Sequence, residues 1–190
     1  MKVKNFEKLK SKPVFVFDLD GTLTKTKSNI ERDMSRTLVR LLQVKKVAVI
    51  GGGTYKQFRN QFIEFLKCPL ELLPRLYLFP TTATSFYRYR KGWQKVYALA
   101  LSKRDKVLIR RAFREALKEI NYVPPPKTYG KVLEDRGTQF TFSALGQDVV
   151  AELGKKKGVR LKEEWTRKNT PLKLKIASLV QKRLPHLEVH

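Results

Sequence analysis

The chain has 190 residues, 42% hydrophobic and 31% charged, a composition that can bury a core and excludes disorder along its whole length. Its 41 Lys and Arg against 17 Asp and Glu give a formal charge of +24, which favours polyanionic partners such as nucleic acid, anionic membrane or phosphorylated small molecules, and says nothing about fold. The single cysteine, Cys68, excludes an internal disulfide and a cysteine-based zinc cluster, and no apolar run approaches the roughly 18 residues of a membrane span.

The lysine-rich start, residues 1–12, is followed by an apolar run too short for a secretory signal, so a reducing, cytoplasmic setting is expected. That run, Val14-Phe15-Val16-Phe17, reads as a central parallel strand buried on both faces. It leads into Asp18-Leu19-Asp20-Gly21-Thr22. Ser28 with Glu31 three residues later has the form of a capping box, and Ile30, Met34, Leu38, Leu41 and Leu42 recur at helical spacing, which predicts a helix over 29–43. Residues 47–50 read as a second strand, leaving through Gly51-Gly52-Gly53-Thr54. Tyr55, Phe58, Phe62 and Phe65 mark one face of a second helix, and residues 76–79 are a third strand closed by Pro80. This alternation is the βαβαβ rhythm of a parallel, doubly wound α/β sheet, whose chemistry sits at the carboxyl ends of its strands.

Beyond Pro80 the pattern changes. Residues 86–89 and 93–101 read as antiparallel strands around Lys91-Gly92, and a helix capped near Ser102 runs to Ile120. After three prolines, residues 131–135 and 139–145 read as a hairpin around Arg136-Gly137-Thr138. A basic stretch follows at 155–162. Thr170-Pro171 has the form of a helix start, residues to 184 continue that helix, and 187–190 look like the start of a strand. The expected division is an α/β core over 1–83 and an α+β unit over 84–190.

Asp18 and Asp20 are the candidate reactive pair. Two acids at one strand end can divide a task, one staying ionised as nucleophile or metal ligand while the other carries a proton. Gly21 permits a tight turn, and Thr22 offers a hydroxyl and an amide N–H to an anion. An Asp-rich turn that merely ends a strand is the plain alternative. Gly52, Gly53 and Thr54 are candidate anion-binding residues, because glycines let backbone N–H groups approach a phosphate; a simple strand-to-helix turn is the alternative there.

Phe17-Asp18-Leu19-Asp20-Gly21-Thr22-Leu23-Thr24 resembles the first motif of the haloacid dehalogenase-like superfamily of phosphohydrolases and phosphomutases. The resemblance implies a Rossmann-like core with an inserted α+β cap. It also implies that Asp18 attacks phosphorus to form an aspartyl-phosphate, and that Asp20 protonates the leaving oxygen and then activates the acceptor. Mg2+ would be held by the Asp18 carboxylate and the Asp20 carbonyl. The superfamily's second motif, a Ser or Thr that holds the phosphoryl group, falls on Thr54. Glu134-Asp135-Arg136 and Ser143-Ala144-Leu145-Gly146 resemble the cap of phosphomannomutases, in which arginines bind a distal phosphate. Arg136 fits one such position, and its pairing with Glu134 or Asp135 is the equal alternative. Gln147 stands where the mutase cap carries arginine and Gly53 where mutases carry Ser, departures that favour a phosphatase over a mutase. The further core strands of the family, with their lysine and acidic Mg2+ ligands, are absent, so a truncated, weakly active chain is expected.

A phosphosugar is the substrate the resemblance implies. A non-catalytic protein that grips phosphosugars and an RNA- or polyanion-binding protein are the rivals. The second rests on Arg88, Arg90, Lys91 and Lys95 interleaved with Phe86, Tyr87, Tyr89, Trp93 and Tyr97, a pattern that could stack bases or simply combine core aromatics with a solvated basic face. His186, His190 and Cys68 read as structural or surface residues.

Overall fold

The computed structural model describes residues 11–25 and 28–189; most of the lysine-rich start, together with His190, lies outside the described residues. The chain divides into two compact units, one reaching Leu99 and the other beginning at Ala100.

The first unit is an α/β sheet in the order β1-β2-β3-β4-β5. Strands β1 (Val14–Asp18), β2 (Lys46–Ile50) and β3 (Leu76–Phe79) are parallel, with Phe17 beside Val49 and Val49 beside Leu78. β4 (Ser85–Tyr89) and β5 (Trp93–Ala98) add antiparallel. The hairpin expected to open the second unit therefore extends the core sheet instead, because β4 hydrogen-bonds directly to β3.

Helix α1 (Arg32–Val44) buries Ser35, Leu38 and Leu42, an i, i+3, i+7 stripe. The Ser35 hydroxyl accepts from the Lys67 N–H at 3.2 Å, which satisfies the one polar group in that stripe. Helix α2 (Tyr55–Phe58) continues as a π turn over Arg59–Ile63. Phe58 and Phe62 are fully buried against Leu38, Leu42, Val47, Val49, Leu76 and Leu78. Phe65, placed on the same face by spacing, is largely exposed, because the π turn ends the helix and rotates the chain before it.

Two expectations are corrected here. Ser28 is not the cap of α1: the helix begins at Arg32, with Glu31 at its N-cap position and no side-chain cap there, and the Glu31 carboxylate pairs with Lys25 Nζ at 2.6 Å. Nor is β1 buried on both faces. Among the described strands it pairs with β2 alone, so it is an edge strand, with Val14 39% and Val16 65% exposed and Phe15 and Phe17 half-buried. An apolar strand states what it prefers to touch, but cannot state whether a neighbour is there.

The second unit pairs helix α3 (Lys103–Glu119) with helix α4 (Val149–Arg183) through Ile109, Ala112 and Ala116 against Ile176, Val180 and Leu184. A short hairpin of β6 (Leu133–Asp135) and β7 (Phe140–Phe142) lays Phe140 and Phe142 on this core. The basic stretch 155–162 is helical, in keeping with the good helix propensity of Lys, Arg and Leu. α4 is interrupted at Gly154 (φ 75°, ψ 162°) and Asn169. The second break accounts for Thr170-Pro171, since proline cannot donate across it. After the first, the chain folds back so closely that a Cβ on Gly158 would lie 2.6 Å from the Val150 Cα.

The expected strand beginning at Leu187 is corrected too: residues 187–189 form none. The Gln181 side-chain amide donates to the Leu184 and Leu187 carbonyls and accepts from the Val189 N–H, taking backbone groups that a sheet would have used.

Ser102 caps α3 as expected: its hydroxyl accepts from the Asp105 N–H at 3.0 Å and donates to the Asp105 carboxylate at 2.6 Å. That hydroxyl, and then His186 at 3.1 Å, hold the Asp105 carboxyl below its ordinary value of 3.8. A depressed carboxyl stabilises the fold above its unfolded pKa and ceases to do so as pH falls through its folded pKa. Denaturant titrations of the chain and of Asp105→Asn should therefore differ at neutral pH and converge below about pH 3.8. A gap that stayed constant down to acid pH would remove the carboxylate from this account.

Candidate active site

β1 delivers Asp18 at its last position, exposed to solvent. The next residue, Leu19, turns inward, 1% exposed, and its N–H donates to the Ile50 carbonyl at 2.9 Å. Its carbonyl then collects the Leu23 N–H, the Thr24 N–H and the Thr24 hydroxyl at 2.9–3.1 Å, while the Gly21 N–H, at φ +89°, donates to the Thr24 carbonyl at 2.7 Å. Residues 19–24 thus close into one compact turn with Leu19, Leu23 and Thr24 buried beneath it. Because Leu19 is driven inward, Asp18 and Asp20 both project away from the core; Asp20 is half-buried, and Gly21 and Thr22 are exposed. The hydrophobic effect on a single leucine thus sets the direction of two carboxylates.

The exit of β2 meets this turn. A Cβ on Gly51 would stand 3.2 Å from the Phe58 ring and 3.3 Å from the Leu19 Cβ, so only glycine fits without something giving way. Gly52 is exposed, and a Cβ there would approach nothing nearer than Thr82 Oγ1 at 4.0 Å. Gly53 lies against the Gln57 side chain. Thr54 is the N-cap of α2: its hydroxyl accepts from the Gln57 N–H at 3.4 Å and its N–H donates to Gln57 Oε1 at 2.7 Å. A full capping box is made here, and it leaves the Thr54 hydroxyl proton free of the cap.

A third wall comes from the exit of β3, which sequence reasoning passed over. Thr81, Thr82 and Ala83 stand consecutively at φ 52°, 54° and 63°. Left-handed backbone at β-branched residues is uncommon and costs about 1–3 kcal/mol per residue, so neighbours must hold it. They do: the Thr81 N–H donates to the Gly53 carbonyl at 2.8 Å and the Thr82 N–H to the Gly51 carbonyl at 2.9 Å. The sequence Thr-Thr-Ala-Thr contains no Gly, Asn or Asp to announce such a turn; Pro80 alone marks the end of the strand.

Asp18, Asp20, Gly21, Thr22, Gly52, Gly53 and Thr54 therefore lie at the carboxyl ends of adjacent parallel strands, which run about 4.8 Å apart. Arg136 belongs to the second unit. There its side chain, 9% exposed, donates to the Glu134 carboxylate at 2.7 Å and to Gln147 Oε1 at 3.3 Å. Of the two readings of Arg136, the pairing with Glu134 is present in this structure.

The hairpin aromatics are engaged with one another. Tyr87 stacks on Tyr55 at 4.0 Å, Phe86 on Phe79 at 4.7 Å, and Tyr89 meets Trp93 edge-on at 5.6 Å. Tyr87, Tyr89 and Trp93 also pack against the core, so these ring faces are already in use. Burial raises the Cys68 thiol pKa, in keeping with an unreactive cysteine.

For a divalent cation the donor chemistry fits. Asp18 and Asp20 offer hard oxygens, and Mg2+ is commonly held by one or two carboxylates, with water and substrate phosphate completing its shell. Among the described residues no group of three or more His, Cys, Asp or Glu gathers as a metal site, here or elsewhere, so Asp18 and Asp20 are the carboxylates available at this one. No described helix is long and apolar enough to cross a membrane.

No family model matches the chain. Over 160 residues it is 24% identical to a Caenorhabditis elegans protein named "Probable phosphomannomutase", a match that takes in 80% of this chain and 61% of that protein. Among solved structures it resembles Plasmodium falciparum IMP-nucleotidase bound to ATP, with a TM-score of 0.52 and 11% identity over 83% of this chain and 41% of that one. The IMP-bound form of the same nucleotidase gives a TM-score of 0.51 at 11% identity, over 83% and 46% of the two chains. At such identity the likeness to these structures is one of fold. The chain spans less than two thirds of the curated relative and less than half of each nucleotidase chain.

Proposed function

We propose that this chain, which has the haloacid dehalogenase-like fold, carries the phosphoryl-transfer face of a phosphomonoester hydrolase, with a phosphosugar as the first substrate to test. The observation that supports this reading most is the buried Leu19 between two outward carboxylates, set beside the glycine loop of the adjacent strand.

In this reading an Asp18 carboxylate oxygen attacks phosphorus. The bond from phosphorus to the leaving oxygen breaks, and Asp20, as the carboxylic acid, gives that oxygen its proton. Asp20, now the carboxylate, takes a proton from water as the water oxygen attacks the aspartyl-phosphate, which frees Asp18 and inorganic phosphate. Gly52, Gly53 and the Thr54 hydroxyl face the transferring group, and Gly21 and Thr22 border it from the β1 turn. The Asp18 carboxylate and the Asp20 backbone carbonyl would hold Mg2+, which would supply charge neutralisation at the phosphoryl oxygens.

Hydrolysis is favoured over mutase transfer. A mutase must grip a second phosphate, and Arg136, the candidate for that task, is engaged by Glu134, with Gln147 where an arginine would be needed. The test is phosphate release from hexose monophosphates and p-nitrophenyl phosphate, with and without Mg2+, alongside NMR detection of isomerised sugar phosphate. Mg2+-dependent release is expected. Isomerisation without release would transfer the reading to a mutase, and neither product would leave a phosphosugar-binding protein.

A further inference from the structure

The left-handed turn at the end of β3 has a place in this site, and the inference below rests on the phosphoryl-transfer reading just given. The turn is held from both sides. Its backbone N–H groups grip the two ends of the glycine loop, Thr81 on Gly53 and Thr82 on Gly51. Underneath, Thr81 is 4% exposed within a chain of hydroxyls. Ser85 Oγ donates to the Pro80 carbonyl at 3.3 Å, so the Thr81 hydroxyl donates to Ser85 at 3.0 Å, and Thr84 Oγ1 donates back to Thr81 at 2.6–2.8 Å. Thr81 is thereby locked. Thr82 is the opposite case. Its side chain is exposed, it enters none of these bonds, and its Oγ1, at 4.0 Å, is the one atom beyond the adjacent residues that comes within 4 Å of where a Cβ on Gly52 would be.

Glycine at position 82 would hold the same φ of 54° without strain. What threonine adds for that cost is a hydroxyl aimed over Gly52. Strain that is kept in place by its surroundings and presents a polar group to an open site is a pointer to function. We propose that Thr82 is a further anion-binding residue of this site, its hydroxyl donating to a non-bridging phosphoryl oxygen seated over Gly52.

The probe is inorganic phosphate, titrated into the ¹⁵N-labelled chain while the amide resonances of residues 51–54 are followed. In the unaltered chain these resonances should shift and saturate. Thr82→Gly removes the hydroxyl and relieves the backbone, so it should weaken phosphate binding about 10–100-fold, the order expected for losing one hydrogen bond to a charged group, while raising the melting temperature. Thr82→Ser should bind within about twofold of the unaltered chain, since it keeps the donor. A Thr82→Gly protein that binds phosphate as tightly as the unaltered chain overturns the role of Thr82 and leaves the active-site reading standing. If the unaltered chain gives no shift at residues 51–54, both fall together. Because Thr82→Gly is expected to be the more stable protein, weaker binding by it cannot be put down to unfolding.

Discussion

Asp18→Asn should lower phosphoryl transfer at least about 10³-fold while leaving the fold intact, because it removes the nucleophile and little else. Asp18 is the last residue of β1, exposed and outside the hydrophobic cluster, and an amide of nearly the same shape introduces no cavity. The measurement is twofold: steady-state release of phosphate, and trapping of a hydroxylamine-sensitive phosphoenzyme. Both should disappear, with thermal stability unchanged. Turnover that survives in Asp18→Asn would exclude Asp18 as the covalent residue. Asp20→Asn separates the two acids. It should slow release about 10²–10⁴-fold, the usual contribution of positioned acid–base catalysis. The loss in forming the phosphoenzyme should be greater for a sugar phosphate than for p-nitrophenyl phosphate, whose leaving group needs little protonation. Equal losses would mean that Asp20 does not protonate the leaving oxygen.

The largest effect on stability is expected from Phe58→Ala, at about 3–5 kcal/mol, the usual cost of emptying a fully buried aromatic position. Phe62→Ala should cost a similar amount, since Phe62 is equally buried in the same cluster. The two should differ in the site. The Phe58 ring lies 3.2 Å from where a Cβ on Gly51 would be, with the Leu19 Cβ 3.3 Å from the same point, so it supports the glycine loop directly. At temperatures where both variants remain folded, Phe58→Ala should weaken phosphate binding and Phe62→Ala should not. Denaturant titration reads the stability and phosphate titration reads the loop. Equal binding by the two variants would mean that the loop holds its shape without the ring.

Much of the first unit was legible before any coordinates. The runs at 14–17, 47–50 and 76–79 became β1, β2 and β3, and the periodic apolar residues of α1 buried the face they predicted. Short-range signals of this kind survive because they depend on local conformation and on burial of one face. Some of the failures fall where a side chain had two possible partners, others where the number of neighbouring strands decided the outcome. Glu31, expected inside the first turn of α1, stands at its N-cap position and pairs with Lys25, and Gln181 took backbone groups that a strand would have used. Arg136 is the case in which both outcomes were foreseen and the local pairing is the one present.

The order of residues was enough to establish that two aspartates follow an apolar strand, that glycines leave the next one, and that the chain is strongly cationic. Spacing along the chain carries those facts. Packing alone decided that Leu19 turns inward and both carboxylates outward, that β1 stands at an edge, and that three non-glycine residues take left-handed backbone against the glycine loop. Each of these depends on atoms distant in sequence: the Phe58 ring, the single neighbour of β1 among the described strands, and the carbonyls of Gly51 and Gly53. A local pattern can state a residue's preference, but the contact that satisfies or overrides it exists only once the strands lie side by side.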